Sequence, residues 1–262
     1  MTAGFAALHL RQPALARTGL AMAAILVLCL VAMPFDAREI RGVSVWVKPA
    51  KFAASLAVWC WTMAWAWTAL GRAWRAGRAA RVIVAGTIVC GGFEVGWIAL
   101  RAAVGLPSHF AMDALGAAVY GVMGLAAVLL CLCAAAFGAL VAWRGDPTRH
   151  RVMRLGIAAG FVGAGLLGIF TGLAIGGGTG PYVGGEASDA GAWPPFFWSR
   201  SGGDLRVAHF LAVHAMQALP LLAWGLLRAG AAAPRAWLAA GAAGWVGLTL
   251  GAFALARAGV AL

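Results

Sequence analysis

Charge is what this chain has least of. Only 11% of its 262 residues are charged and only eight of them are acidic. Soluble domains carry about a quarter charged residues. With 63% apolar residues, the chain cannot cover its surface with polar groups, which excludes an ordinary soluble domain. Alternating strand patterns of about ten residues are also missing, which disfavours a membrane β-barrel. No basic stretch forms a soluble face. The net charge of +12 therefore does not indicate nucleic-acid binding, and no nucleic-acid partner is expected.

Several motifs are missing. There is no His-Glu-x-x-His, no Cys-x-x-Cys-His, no Walker A loop and no dinucleotide fingerprint. The last apolar run has no lysine for a retinal Schiff base. Cys29, Cys60, Cys90, Cys131 and Cys133 all fall in apolar runs, which is not the pattern of a secreted disulfide framework. Cys131 and Cys133 point to different sides of a helix, and buried thiols in packing positions account for all five.

What remains is long apolar runs separated by arginine-bearing or glycine-rich connections. These predict an all-α, polytopic transmembrane helical bundle with the lipid bilayer as its solvent. Seven spans are expected, at about 18–35, 45–70, 82–104, 108–143, 155–175, 204–227 and 236–256, in a single transmembrane domain. The first run is too long for a signal-peptide core and lacks a convincing cleavage site, so it reads as an uncleaved span. Residues 176–203, rich in Gly and Pro and carrying four aromatics from Trp193 to Trp198, form the one long connection and read as an outer lid loop. Gly168, Gly172 and Gly176 in the fifth span, and Gly247 and Gly251 in the seventh, are spaced for close helix approach. They offer faces for oligomer contacts. Pro220 predicts a kink in the sixth span.

Lys and Arg set the orientation. Twelve of the twenty fall in the N-terminal tail and the even-numbered connections: Arg11 and Arg17, Arg72 to Arg81, Arg144 to Arg154, and Arg228 with Arg235. This predicts a cytoplasmic N-terminus and an external C-terminus in a bacterial inner membrane. The unusual polar residues then collect in the outer half of four spans. They are Lys48 and Lys51 in the second, Glu94 and Arg101 in the third, His109 and Asp113 in the fourth, and Asp204, Arg206, His209 and His214 in the sixth, with Gln217 one turn beyond His214. Such groups are costly in lipid and mark functional sites.

Helical spacing puts Glu94 with Arg101, His109 with Asp113, and His214 with Gln217 on common faces, while His209 and His214 diverge by about 140°. Each has a plain alternative. Glu94 and Arg101 form an ion pair, His109 sits at the interface, Asp204 caps a helix, the lysines snorkel, and His214 is a satisfied core group. The functional assignment gives acid–base roles to Glu94, Asp113 and His214. It gives ligand binding to Lys48, Lys51, Arg101, Asp204, Arg206 and Gln217, and metal or haem ligation to His109 and His209. The expected activity is that of a haem- or transition-metal-dependent redox protein. The alternatives are a proton-coupled transporter or binder of a small anionic or lipid-like solute, and a structural or signalling subunit.

VWVKPAKF at 45–52, PSHF at 107–110 and GGDLRVAHF followed by His214 resemble a family of uncharacterised bacterial multi-pass membrane proteins. The resemblance implies the membrane-embedded fold and these residues, but no activity. The histidine motif of that family continues to Asn, where this chain has Ala111.

The orientation is tested by a reporter fused to the C-terminus. It should be active outside the cytoplasm, and activity confined to the cytoplasm overturns the topology.

Overall fold

A computed structural model describes residues 2–111 and 113–262, with the side chains of residues 2–5 outside that description. Among the described residues the helices are α1 (Thr2–Arg11), α2 (Pro13–Ala32), α3 (Val47–Ala66), α4 (Arg72–Arg75), α5 (Arg78–Ala103), α6 (Ala114–Arg144), α7 (Arg151–Gly176), α8 (Leu205–Arg228) and α9 (Pro234–Arg257). Two antiparallel ribbons complete the chain. One pairs β1 (Glu39–Ile40) with β2 (Val43–Ser44), the other β3 (Tyr182–Val183) with β4 (Gly203–Asp204).

Six of these helices, α2 and α5 to α9, are long and apolar enough to cross a membrane. Their outward side chains are greasy: Val27, Leu28, Val82, Val89, Leu125, Leu166 and Leu221 are all exposed. In water that belt would be an aggregation surface, but hydrocarbon solvates it. The chain is a multi-pass membrane protein. α3 is not among the six, because Lys48, Lys51 and its tryptophans lower its mean hydropathy. It nevertheless runs the length of the bundle. Its first turns meet the long connection through Lys51, and its last turn accepts a hydrogen bond from Arg11 at the Trp65 carbonyl.

The helix starts correct the expected boundaries. α2 begins at Pro13, five residues before the expected start, because the Gln12 side chain caps Ala14 N–H and proline is well placed in a first turn. The polar N-terminal stretch is itself helical, as α1. α6 begins at Ala114, capped by Asp113, so the expected start at 108 is too early. Residues 107–110 form a turn in which Phe110 has a left-handed φ of 54°.

Helix packing depends on glycine. α6, α7 and α8 lie side by side. Gly138 approaches the Ala158 backbone, Gly156 and Gly160 approach the backbone of α8 at Leu219 and Ala215, and Gly165 approaches α6 at Cys131. With no hydrophobic drive between helices in lipid, such close backbone contact is what association rests on. The α7 glycines expected to serve an oligomer are therefore used inside the chain. Gly168 lies against Cys131 and Val213, Gly172 against His209, and Gly176 against the Tyr120 hydroxyl. Gly247 and Gly251 of α9 face open space.

The bundle has two unlike ends. At the basic end, Arg75 bonds Asp146 at 2.9 Å and the carbonyls of Leu70 and Thr68, and Arg149 bonds the carbonyl and hydroxyl of Thr68. An aromatic column of Trp67, Phe137 and Phe161 stands beneath. The opposite end, here the hairpin end, holds the β1–β2 ribbon, residues 104–111 and the long connection. Arg41 and Gly42 turn the hairpin with φ of 58° and 79°, the left-handed pair that a two-residue hairpin needs.

Replacing Gly160 with Leu should destabilise the bundle by about 1–3 kcal/mol or more, because a Cβ there lies 2.7 Å from the Ala215 carbonyl oxygen. Gly225→Ala, with nothing within 4 Å of the new methyl, should be neutral or stabilising. Thermal unfolding in detergent reads both, and equal effects overturn this account of the α7–α8 contact.

Candidate functional site

The hairpin end collects nearly all the acid of the protein. Asp36, Glu39, Glu94, Asp113, Glu186, Asp189 and Asp204 lie there or in the helix halves leading to it, and only Asp146 lies at the basic end. Most of these carboxylates are committed to local cations. Asp36 binds Arg38 through both oxygens and also accepts from Trp46 Nε1 at 2.8 Å. The Arg38 hydrogen bonds hold its carboxyl well below the usual range.

Arg101 binds both oxygens of Asp113, donates to the Pro107 carbonyl and stacks on Trp97. The expected Glu94–Arg101 pair is therefore not formed. The start of α6 returns to the end of α5, so Asp113 takes Arg101 and Glu94 does not. Asp113 is occupied as cap and counter-ion, which does not suit the acid–base role expected of it.

Asp204 and Arg206 build a closed knot. Arg206 binds both oxygens of Asp204, Asp189 Oδ1 at 2.7 Å and the Phe197 carbonyl at 3.0 Å, and it stacks on Tyr182. Asp204 also accepts from the Ser199 N–H at 2.8 Å and caps α8. Tyr182 donates to Asp189 at 2.7 Å. These two residues, expected to bind ligand, hold the long connection in place instead. Burial pushes the Tyr182 phenol up to about 12. Burial alone would raise the Asp189 carboxyl, but the Arg206 hydrogen bond and charge outweigh it and hold it below its ordinary value.

The connection packs over the head of α8. Phe196 and Trp198 stack at 4.5 Å, and both rings meet Phe210, which touches His214. Lys51 donates to the Phe196 carbonyl at 2.9 Å and lies over Phe197. The Arg41 carbonyl accepts from Asp189 N–H at 2.9 Å.

The histidines separate. His109 bonds Ser108 Oγ at 3.2 Å and sits between Phe52 and Tyr120. Burial, with the charges of Lys48 and Arg41 beside it, pushes its imidazole down to about 3, so it is neutral at physiological pH. His209 bonds Thr171 Oγ1 of α7 at 2.9 Å. His214 bonds Gln217, which donates to Thr62 of α3 at 3.0 Å. The divergence by helical spacing has a physical outcome: one ring faces α7, and the other joins a chain of hydrogen bonds to α3. Among the described residues no group of three or more His, Cys, Asp or Glu side chains comes together to hold a metal. The metal assignment of His109 and His209 finds no support in this geometry.

Two expected residues are left over. Glu94 is 4% exposed, and its Oε1 is buried without a hydrogen-bond partner. Lys48 lies within electrostatic reach of Glu94, Arg41, Lys51 and Arg206. Its ammonium stands over the Phe52 ring at 5.9 Å and makes no hydrogen bond among the described residues. Two indole donors on the same helices, Trp59 Nε1 and Trp97 Nε1, are also buried without partners. Sequence reasoning missed Arg41, Tyr120, Tyr182 and Asp189. One signal was available. The chain has only two tyrosines, and both stand at the hairpin end.

The fold and this cluster define a multi-pass helical membrane protein with buried, unpaired polar groups near one end of the bundle. The chain matches no family model, no curated protein and no solved structure.

The depressed Asp189 carboxyl contributes stability above the unfolded value of about 3.9. That contribution is lost as the pH falls through the lower, folded value. Amide-exchange protection across residues 182–204, corrected for intrinsic rate, should hold from neutral pH to about 4 and fall below it. Asp189→Asn should lower it already at pH 7. Full protection in that variant removes the knot from this account.

Proposed function

We propose that this is a seven-span bacterial inner-membrane protein, N-terminus inside, that binds a small anionic or lipid-like solute in the bundle near its outer end and couples binding to a proton. α3 is the seventh span in this reading. Its ends meet opposite ends of the bundle, which supports a crossing despite its modest hydropathy. The excess of arginine at the basic end supports a cytoplasmic location for it.

The observation that carries the site is the pair of unpaired groups, Lys48 and Glu94. Arg38, Arg101 and Arg206 are each neutralised by their own carboxylates. Among the described residues Glu94 is the buried acid with no ion pair, and Lys48 is the cation that reaches it. Lys48, with no hydrogen bond of its own among the described residues, is the cation left to meet an incoming anion. With the site empty, Lys48 compensates the Glu94 carboxylate. An anion that takes the lysine's charge leaves Glu94 uncompensated in a weakly polar place, and a proton restores neutrality. Anion and proton then enter together. His109, neutral and wedged between rings, supplies hydrogen bonding without adding charge. The buried indole N–H groups are further donors of the kind an anion needs.

This reading takes precedence over the redox one because the three histidines each have separate partners. A Soret band or stoichiometric metal in freshly purified protein would reverse that order.

A thermal-shift panel of small carboxylates and phosphates tests the proposal. At least one should stabilise the protein, and Lys48→Met should abolish the shift. Glu94→Gln should keep binding while losing the proton taken up, measured in weakly buffered solution. If Lys48→Met binds as the parent does, the site is elsewhere. If Glu94→Gln still takes up the proton, Glu94 is not its acceptor.

A further inference from the structure

A separate feature lies at the basic end. A groove of about 490 Å³ runs between the start of α5 and the end of α6. Its walls are apolar, formed by Val82, Ile83, Ala136, Ala139 and Leu140, and its mouth is Arg78 and Trp143. Ala136 and Ala139 lie one turn apart on the same face and keep the floor low. Val82 and Trp143 are exposed at 68% and 76%, so the groove opens on the belt that faces lipid. From residue 136 to residue 143 it extends about 10 Å along α6, enough for the upper part of an acyl chain.

The mouth is basic. The Arg144 guanidinium is stacked between Trp74 at 4.6 Å and Trp143 at 4.4 Å. Its Nε is buried and has no hydrogen-bond partner. Arg78 stands at the rim and Arg81 follows one turn later. Asp146, the acid of this end, is already held by Arg75. Two indoles that fix an arginine at the depth where tryptophan prefers to sit place its charge at headgroup level. Basic recesses between spans at this depth suit acidic lipid headgroups.

We propose that this groove binds one anionic phospholipid. An acyl chain lies along Val82, Ala136, Ala139 and Leu140, and the phosphate meets Arg78 and Arg144. The occupant is an intact lipid because the slot is apolar over most of its length and opens sideways to the bilayer. A zwitterionic choline headgroup would bring its own cation to the same arginines and bind less well.

Native mass spectrometry of the full-length protein in detergent tests this, with dioleoylphosphatidylglycerol and dioleoylphosphatidylcholine as probes. The glycerol lipid should bind at least about tenfold tighter. Arg78→Gln and Arg144→Gln should each weaken it about fivefold, and Ala139→Phe should displace both lipids by filling the floor. Arg78 is exposed, so its variant reports binding even if Arg144 also supports the fold. Arg144→Lys, with unchanged thermal stability, should keep much of the preference. Equal binding of the two lipids, or an Arg78→Gln variant that keeps the full preference, overturns the proposal. So does displacement of the glycerol lipid by excess inorganic phosphate, which would mark a site for free anion.

Discussion

In hydrocarbon a charge must find a partner or water, since even the most permissive scales put about 2.5–3.5 kcal/mol on an ionised side chain at mid-membrane. That constraint shapes the hairpin end. Asp36 takes up Arg38, Asp113 takes up Arg101, and Asp189 and Asp204 share Arg206, arginines that would otherwise be uncompensated. The connections fold as they do because their backbone delivers these carboxylates: the link from α5 to α6 returns Asp113 to Arg101, and residues 177–204 bring Asp189 and Asp204 to Arg206. Once those pairs are made, the charges that stay unmatched stand out. Among the described residues that are buried or half-buried at this end they are Lys48, Lys51 and Glu94. The local balance at this end is set by which arginines lack a carboxylate of their own.

The basic end meets the same constraint differently. It has many arginines and Asp146, so guanidinium groups turn to backbone carbonyls and aromatic faces. Arg75 and Arg149 satisfy the carbonyls of residues 68 and 70, where the 3₁₀ turn at Trp67–Ala69 leaves them free. Arg144 rests between two indoles. The two ends thus differ in emphasis: ion pairs prevail at the hairpin end, while the basic end adds to its Arg75–Asp146 pair mainly hydrogen bonds to backbone and ring stacking.

Much of the architecture was legible in the sequence because long apolar runs and their arginine flanks are strong signals. The helices fall close to where composition puts them, and the shifts of α2 and α6 have local causes: the Gln12 cap and the turn at 107–110. Partner choice was less legible. Helical periodicity places Glu94 and Arg101 on one face but cannot show that a ten-residue turn returns Asp113 to the same arginine. It gives the angle between His209 and His214 but not the hydroxyls, Thr171 and Thr62, that lie in those directions. The small ribbons β1–β2 and β3–β4 are too short to leave a pattern. Asp189 sits in a stretch of Gly, Ser and Ala with no period at all, and its importance comes only from the fold that brings it to Arg206 and Tyr182.

The long connection looks in sequence like a flexible flap. In the structure it is a strap fastened at two places: Lys51 and the Arg41 carbonyl hold it beside α3, and Arg206 holds it to the start of α8. Lower down, Thr62 and Gln217 link the same two helices. α3 and α8 are therefore joined at two heights, one through the strap and one directly. Sliding one helix past the other would strain both links, whereas tilting about the lower one would strain only the upper. The geometry of the strap thus favours tilting of α3 against α8 about the Thr62–Gln217 level over sliding of one along the other.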